Sequence, residues 1–125
     1  MPTLTTPAHR NILHDQASPA IDDINRAVDE KASELLATGD LSRDYAECDF
    51  ERRLAEISRE TAEVALSLWN GVLHGPGFFG LITNAKLLDV AQSLCGEELI
   101  ASSVYRLRPK IPNYNYGAVP WHQDS

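Results

Sequence analysis

The chain has 125 residues, which is enough for one small domain with a single core. Its 18 acidic and 11 basic side chains give a formal net charge of −7, which argues against binding to nucleic acid or to an anionic membrane surface. The sequence has no apolar run of the kind that a signal peptide or a membrane span needs, so we expect a soluble cytoplasmic protein. The two cysteines, Cys48 and Cys95, are too few for a disulfide framework.

The first predicted helix follows an irregular N-terminal segment. Residues 1–17 lack hydrophobic periodicity and are expected to form a flexible arm. Ser18 is suited to cap a helix, with Pro19 at the first helical position and Asp23 in the first turn. Apolar residues then recur at helical spacing until Gly39, which predicts the end of this helix.

Two more helices are expected before residue 98. Apolar residues recur every three or four positions from about Phe50 to Leu73, with charged residues between them, which predicts one amphipathic helix. A shorter helix is predicted after Asn84 as its cap, with Gly96 as its stop. Residues 18–98 are therefore expected to form a helical region of about three helices.

The sequence pattern changes after this helical region. The stretch "LIASSVYRLRP" is rich in β-branched and aromatic residues, which predicts a strand at 99–108. A loop, "KIPNYNYGAVP", and a second extended segment, "PWHQDS", follow it. Residues 99–125 are thus expected to be the first core strands, which gives an α+β fold class. Since two short strands are not stable alone, we expect the chain to be an N-terminal portion of a larger domain.

A histidine and a carboxylate, His122 and Asp124, lie two positions apart in the final segment. In a strand their side chains would project to the same side, so that both could bind one metal ion. Together with a second imidazole they would form the 2-His-1-carboxylate triad of Fe(II), which leaves positions open for a cosubstrate and O₂. The spacing alone is weak evidence, because about 0.3 such pairs are expected by chance at this composition. The alternative is a histidine that donates to a backbone carbonyl and an aspartate in a turn.

The sequence before this pair makes the motif more specific. The stretch "FFGLITNAKLLDVAQSLCGEELIASSVYRLRPKIPNYNYGAVPWHQDS", residues 78–125, resembles the phytanoyl-CoA dioxygenase family of Fe(II)/2-oxoglutarate-dependent oxygenases. In that family a short helix precedes a strand, a Pro-rich loop and a "WHQD" segment. The resemblance implies that His122 and Asp124 are catalytic iron ligands and that 2-oxoglutarate is the cosubstrate. It also implies a double-stranded β-helix (jelly-roll) core, incomplete in this chain, and oxidation of a small organic substrate.

The resemblance leaves parts of the site unassigned. The family's second ligand histidine, and the arginine that binds 2-oxoglutarate, lie downstream of the "WHQD" segment, whereas this sequence ends at Ser125. We therefore expect the chain alone to be inactive. His74 is expected at a helix end rather than at the metal. Arg106 is a candidate contact to 2-oxoglutarate, and the alternative is a solvated cation at a strand edge.

Two other functions stay open at this point. One is a small non-enzymatic helical interaction protein, such as a decayed paralogue of the oxygenases. The other is a metal-binding module assembled from two chains, each of which gives one histidine and one aspartate. The sequence predicts neither the oligomeric state nor the identity of the substrate.

Overall fold

The computed structural model describes the backbone of residues 7–71, 73–102, 105–113 and 120–123, and within these ranges the side chains from residue 17 onward. This part of the chain contains five helices: α1 (Pro7–Thr38), α2 (Phe50–Glu60), α3 (Glu63–Asn70), α4 (Pro76–Ile82) and α5 (Ala85–Cys95). None of the described helices is long and apolar enough to cross a membrane. The chain divides into two compact units. Unit 1 combines residues 1–26 with 73–105, and unit 2 combines 27–72 with 106–125.

The expected α+β fold class is wrong, because the residues that the structure describes form helices and no strand. Residues 99–102 and 105–108, which cover most of the predicted strand, have no regular secondary structure. The jelly-roll strands expected within 99–125 are likewise absent from the described ranges. A strand forms only when a neighbouring strand takes up its backbone N–H and C=O groups, and the composition of one segment does not provide that neighbour.

The segment around the predicted strand nevertheless shows a regular pattern of side-chain exposure. Along residues 105–111 the side chains alternate between half-buried and exposed. The half-buried side chains are Tyr105, Leu107, Pro109 and Ile111, and the exposed ones are Arg106, Arg108 and Lys110. This is the alternation of an extended chain, although no neighbouring strand pairs with it in the described residues.

Helix α1 begins at Pro7, well before the predicted start at Ser18. Residues 7–17, expected in a flexible arm, are thus helical, and Pro19 lies inside the helix. A proline removes one backbone hydrogen bond from a helix, but its fixed φ is close to the helical value, so the helix can continue past it. The next residue, Ala20, is buried, which holds this part of the helix in place. The predicted end is confirmed by Gly39, which has φ +82°.

Unit 2 contains most of the buried apolar side chains of the described chain. Its core combines the second half of α1 with the loop that follows and with α2 and α3. The buried residues are Val28, Ala32, Leu35, Leu41, Ile57, Val64, Ala65 and Leu68. Ile57 and Val64 are fully buried, so the contact between α2 and α3 lies at the centre of this core.

The single helix predicted for residues 50–73 is two helices, α2 and α3. Thr61 separates them, with extended backbone angles of φ −148° and ψ 141°. Its hydroxyl accepts a hydrogen bond from the Glu63 amide at 3.3 Å, which satisfies one of the free donors at the start of α3. The hydrophobic pattern continues through this break, so periodicity alone could not reveal it.

Helix α5 begins and ends where the sequence predicts. The Asn84 side chain accepts hydrogen bonds from the amides of Lys86 at 3.0 Å and Leu87 at 3.4 Å. Gly96 ends the helix with φ +103°, and its own amide donates to the Gln92 carbonyl at 2.9 Å. No residue of α5 is buried, so its predicted apolar side does not pack in a core.

Unit 1 is held together by close contacts at α4. Gly77 lies against the backbone of Pro19, where the Cβ of any other residue would overlap the Pro19 carbonyl. The Tyr105 hydroxyl donates to the Leu73 carbonyl at 2.7 Å, and its ring stacks on Phe78 with centroids 6.2 Å apart. Tyr105, from the predicted strand, therefore packs against the start of α4.

Candidate metal site

Of the predicted metal pair, His122 lies in the last segment that the structure describes, residues 120–123. His122 is exposed, and its Nδ1 lies 2.8 Å from the Pro120 carbonyl oxygen. Trp121, between them, is fully exposed. Asp124 lies outside the described residues, so the geometry of this site rests on His122 alone.

The hydrogen bond between His122 and the Pro120 carbonyl determines which ring nitrogen could bind a metal ion. A neutral ring that donates its Nδ1–H to a carbonyl carries its lone pair on Nε2. Metal-binding histidines commonly hold their second nitrogen in this way, because the bond fixes the tautomer and the ring orientation. The same bond was expected for a histidine without a metal, so it is common to both interpretations of the motif. The tautomer of His122 is therefore one in which Nε2 could bind a metal ion.

The other histidine with a described side chain, His74, lies on the surface of unit 1 at the start of the segment that leads into α4. It lines an apolar cleft of about 250 Å³ together with Phe78, Phe79 and Tyr105. Among the residues that the structure describes, no group of three or more His, Cys, Asp or Glu side chains is placed to hold a metal ion.

Arg106, the candidate contact to 2-oxoglutarate, is exposed. Its neighbour Arg108 lies over the Trp69 ring, with the guanidinium carbon 5.4 Å from the ring centroid. Like His122, Arg106 is thus a surface side chain, and its role at a 2-oxoglutarate site stays a prediction.

A buried carboxylate of α1, whose role the sequence did not predict, contacts the start of α4. Asp23 is 2% exposed, and its oxygens accept hydrogen bonds from the Phe78 amide at 3.0 Å and the Arg26 guanidinium at 2.6 Å. Gly75 is the N-cap of α4 and has no side chain, so Asp23 replaces the capping group. Burial acts to raise the pKa of Asp23, but the hydrogen bonds from Phe78 and Arg26 outweigh it and hold the pKa below its usual value.

Asp23 was expected in the first turn of the first helix, and it lies in the interior of α1 instead. The signal for its true role is indirect, since a proline-initiated helix after a glycine needs a capping group from elsewhere in the chain. Both carboxylate oxygens are engaged within the protein. We therefore assign Asp23 to the structure of unit 1 rather than to a ligand site.

A second carboxylate, Glu60 in unit 2, is hydrogen-bonded to the loop before α2. Glu60 accepts hydrogen bonds from the Ser42 amide at 2.9 Å, from the Ser42 hydroxyl at 2.7 Å and from the Tyr45 hydroxyl. The bond from Tyr45, followed by those from Ser42, lowers the pKa of Glu60, and the same contact raises the pKa of Tyr45. Tyr45 has φ +53°, a conformation that this contact helps to hold. The Glu60 side chain therefore stabilises the conformation of this loop.

Comparison of the chain with protein-family models, with curated proteins and with solved structures gives no match. The resemblance carried by residues 78–125 thus stays a prediction from the sequence.

Proposed function

We propose that the chain supplies His122 and Asp124 as ligands of an Fe(II) ion in a 2-oxoglutarate-dependent dioxygenase that acts on a small molecule in the cytoplasm. The observation that carries the proposal is the "WHQD" segment at the end of the ordered pattern in residues 78–125. When bound, iron with 2-oxoglutarate and O₂ supplies an oxidant for a substrate C–H bond, and 2-oxoglutarate becomes succinate and CO₂.

The part of His122 in this function is to present Nε2 to the metal. The Pro120 carbonyl, 2.8 Å from Nδ1, is compatible with this part because it favours the required tautomer and limits ring rotation. Asp124 would supply the negative charge that makes the pair selective for a divalent cation. With two protein ligands the affinity is low, so the test must detect weak binding.

The proposal is tested by nuclear magnetic resonance on the whole chain with isotope-labelled histidines. Mn(II), a paramagnetic substitute for Fe(II), broadens the resonances of nuclei close to it. We expect titration with Mn(II) to broaden the His122 ring signals well before those of His74. The Asp124→Asn variant should need about tenfold more Mn(II) for the same broadening, because it loses the anionic ligand.

Asp89→Asn, which removes an exposed carboxylate from α5, is the matched control and should leave the titration unchanged. Equal broadening of His74 and His122, or an Asp124→Asn titration equal to that of the natural chain, would contradict the metal pair.

The role of Arg106 is tested in the same titration after 2-oxoglutarate is added. A guanidinium that contacts a carboxylate of 2-oxoglutarate should make the cosubstrate strengthen the Mn(II) effect at His122. This gain should disappear in Arg106→Gln and persist in Arg108→Gln, whose side chain lies on Trp69 instead. Loss of the gain in both variants, or in neither, would argue against Arg106 as the contact.

A non-enzymatic helical interaction protein is the second candidate function. The observation that favours it is the exposed apolar side of α5, which a partner protein could cover. Anaerobic addition of Fe(II) and 2-oxoglutarate distinguishes the two functions, because chelation of the metal by 2-oxoglutarate gives a visible charge-transfer band. A band that His122→Ala abolishes supports the oxygenase, and its absence at saturating metal supports the interaction protein.

A further inference from the structure

Helix α5 presents a continuous apolar side to solvent. Side chains advance by about 100° per residue around an α-helix, so those at positions 87, 90, 91 and 94 lie within about 100° of one another. Three of them are large and exposed, namely Leu87, Val90 and Leu94, and Leu94 is 80% exposed. Ala91 lies at one edge of this group and is half-buried. An exposed stripe of this size on a short helix indicates a docking surface.

The charges at the two ends of α5 are of opposite sign. Lys86 lies in the first turn, where the helix dipole is also positive. Glu97 and Glu98 follow directly after Gly96, at the negative end of the dipole. A helix with this arrangement is complementary to a second copy of itself that runs in the opposite direction.

We propose that α5 docks against α5 of a second copy of this chain in an antiparallel, two-fold symmetric pair. With the axis between positions 90 and 91, Leu87 faces Leu94 of the second copy and Val90 faces Ala91 of the second copy. Large side chains then meet at both ends of the stripe, and smaller ones meet at the axis.

The antiparallel direction follows from the charges. It brings Lys86 of each copy close to Glu97 and Glu98 of the other. A parallel pair would instead place these two glutamates beside the same residues of the second copy, and the like charges would repel. The inference does not depend on whether His122 binds a metal.

The pair should be weak. A helix of 11 residues buries less than the roughly 800 Å² per partner of a standard interface, so we expect a dissociation constant on the order of 0.1 mM. Sedimentation velocity on the whole chain, at protein concentrations up to about 1 mM, covers this range. A chain that stays monomeric throughout would overturn the proposal.

The stripe itself is tested by two neighbouring substitutions of equal charge. Leu94→Asp places a carboxylate in the stripe and should weaken association by at least about tenfold. Gln92→Asp places the same group about 150° around α5 from the centre of the stripe and should change it little. Since neither position is buried, both variants should keep the circular dichroism of the natural chain. Equal loss of association in the two variants would count against the stripe.

The direction of the pair is tested by exchanging the charges. Lys86→Glu alone, or Glu97→Lys with Glu98→Lys, should weaken association, because each leaves like charges in contact. All three substitutions together should restore it, since the complementary pairs are rebuilt with their signs reversed. Failure of the triple variant to recover would overturn the antiparallel arrangement.

A disulfide provides an independent measure of the direction. In a chain with Cys48→Ser and Cys95→Ser, an added Ala91→Cys lies next to the two-fold axis and should cross-link the two copies upon oxidation. A chain with Cys48→Ser that keeps Cys95 should cross-link more slowly, because antiparallel pairing holds its two Cys95 side chains about 14 Å apart along the axis. Comparable rates in the two chains would indicate a parallel pair, because each position then lies level with its own equivalent.

Discussion

Two charged side chains are buried in the part of the chain that the structure describes, Asp23 and Arg53. Each is paired, as buried charges must be to remain ionised. Arg53, in α2, donates to the Asp29 carboxylate at 2.6 Å and to the Asp44 carbonyl at 3.1 Å. It therefore ties α1 and the loop before α2 to the core of unit 2.

Arg53→Ala should lower the free energy of unfolding by about 1–3 kcal/mol, because it removes a charged pair and leaves the Asp44 carbonyl without its donor. Arg52→Ala is the matched control, since the Arg52 side chain is 80% exposed and 4.0 Å from Asp49. It should change the free energy by no more than about 0.5 kcal/mol. Urea denaturation measures both, and equal losses would contradict the role given to Arg53.

The lowered pKa of Asp23 predicts a pH dependence of stability. An aspartate in the unfolded chain has a pKa of about 3.9, so between that value and the lower folded pKa the unfolded state binds more protons. The contribution of Asp23 is therefore complete above this range and is lost as the pH falls through it. Asp23→Asn should flatten the decline in the free energy of unfolding below about pH 4.

The measurement is a series of urea denaturations from neutral to acid pH. Asp22→Asn, at an exposed neighbouring position, should keep the slope of the natural chain. If Asp23→Asn shows the same slope, the carboxylate does not provide this dependence.

At the scale of single residues, the sequence predicted some positions and missed others for physical reasons. Asn84 was identified as a cap because it bonds to amides two and three residues away. Asp23 was missed because its partner, Phe78, lies 55 residues away. His122 was chosen from a motif, and its bond to the Pro120 carbonyl is compatible with that choice without proving it.

Among the elements, the helices that were predicted best are those whose ends are determined locally. α5 has a capping side chain before it and a glycine with positive φ after it. The predicted start of α1 was wrong, because Ser18 and Pro19 resemble a helix start although the helix runs through them. Such signals show that a helix can begin at a position, whereas the packing of the preceding turns decides whether it does.

The contact between α4 and α1 leads to a prediction with a matched control in the same helix. Gly77→Ala should lower the free energy of unfolding by about 1–3 kcal/mol, because the new Cβ overlaps the Pro19 carbonyl. Gly80→Ala meets no atom within 4 Å and should be neutral or stabilising by up to about 1 kcal/mol. Thermal denaturation compares them, and equal stability would show that α4 does not pack closely on α1.

At the scale of the molecule, most of the buried apolar side chains of the described residues lie in unit 2, whereas none of the apolar side chains of α5 is buried. The sequence pattern is the same in the helices of unit 2 and in α5, since each has an apolar stripe. Burial depends on what packs against the stripe. The sequence therefore predicted helices here, but it did not predict which of them form the core. The α+β class failed for a related reason, because strand pairing joins distant segments.

Ile57→Ala should lower the free energy of unfolding by about 2–5 kcal/mol, since Ile57 is fully buried between helices of unit 2. Leu94→Ala removes a similar apolar volume from an exposed position and should change it by no more than about 0.5 kcal/mol in dilute solution. Chemical denaturation followed by circular dichroism tests the pair. A loss at Leu94 as large as that at Ile57 would mean that α5 packs within the monomer.

The capping of α4 by Asp23 has a consequence for the order of folding. Seven residues are too few for a helix to persist alone. The carboxylate that caps α4 lies 55 residues before the amide from which it accepts a hydrogen bond. The intervening chain must therefore close into a loop, at an entropic cost, before α4 gains its cap. During synthesis Asp23 leaves the ribosome before Phe78. We therefore expect α4 to form late, when the two segments of unit 1 come together.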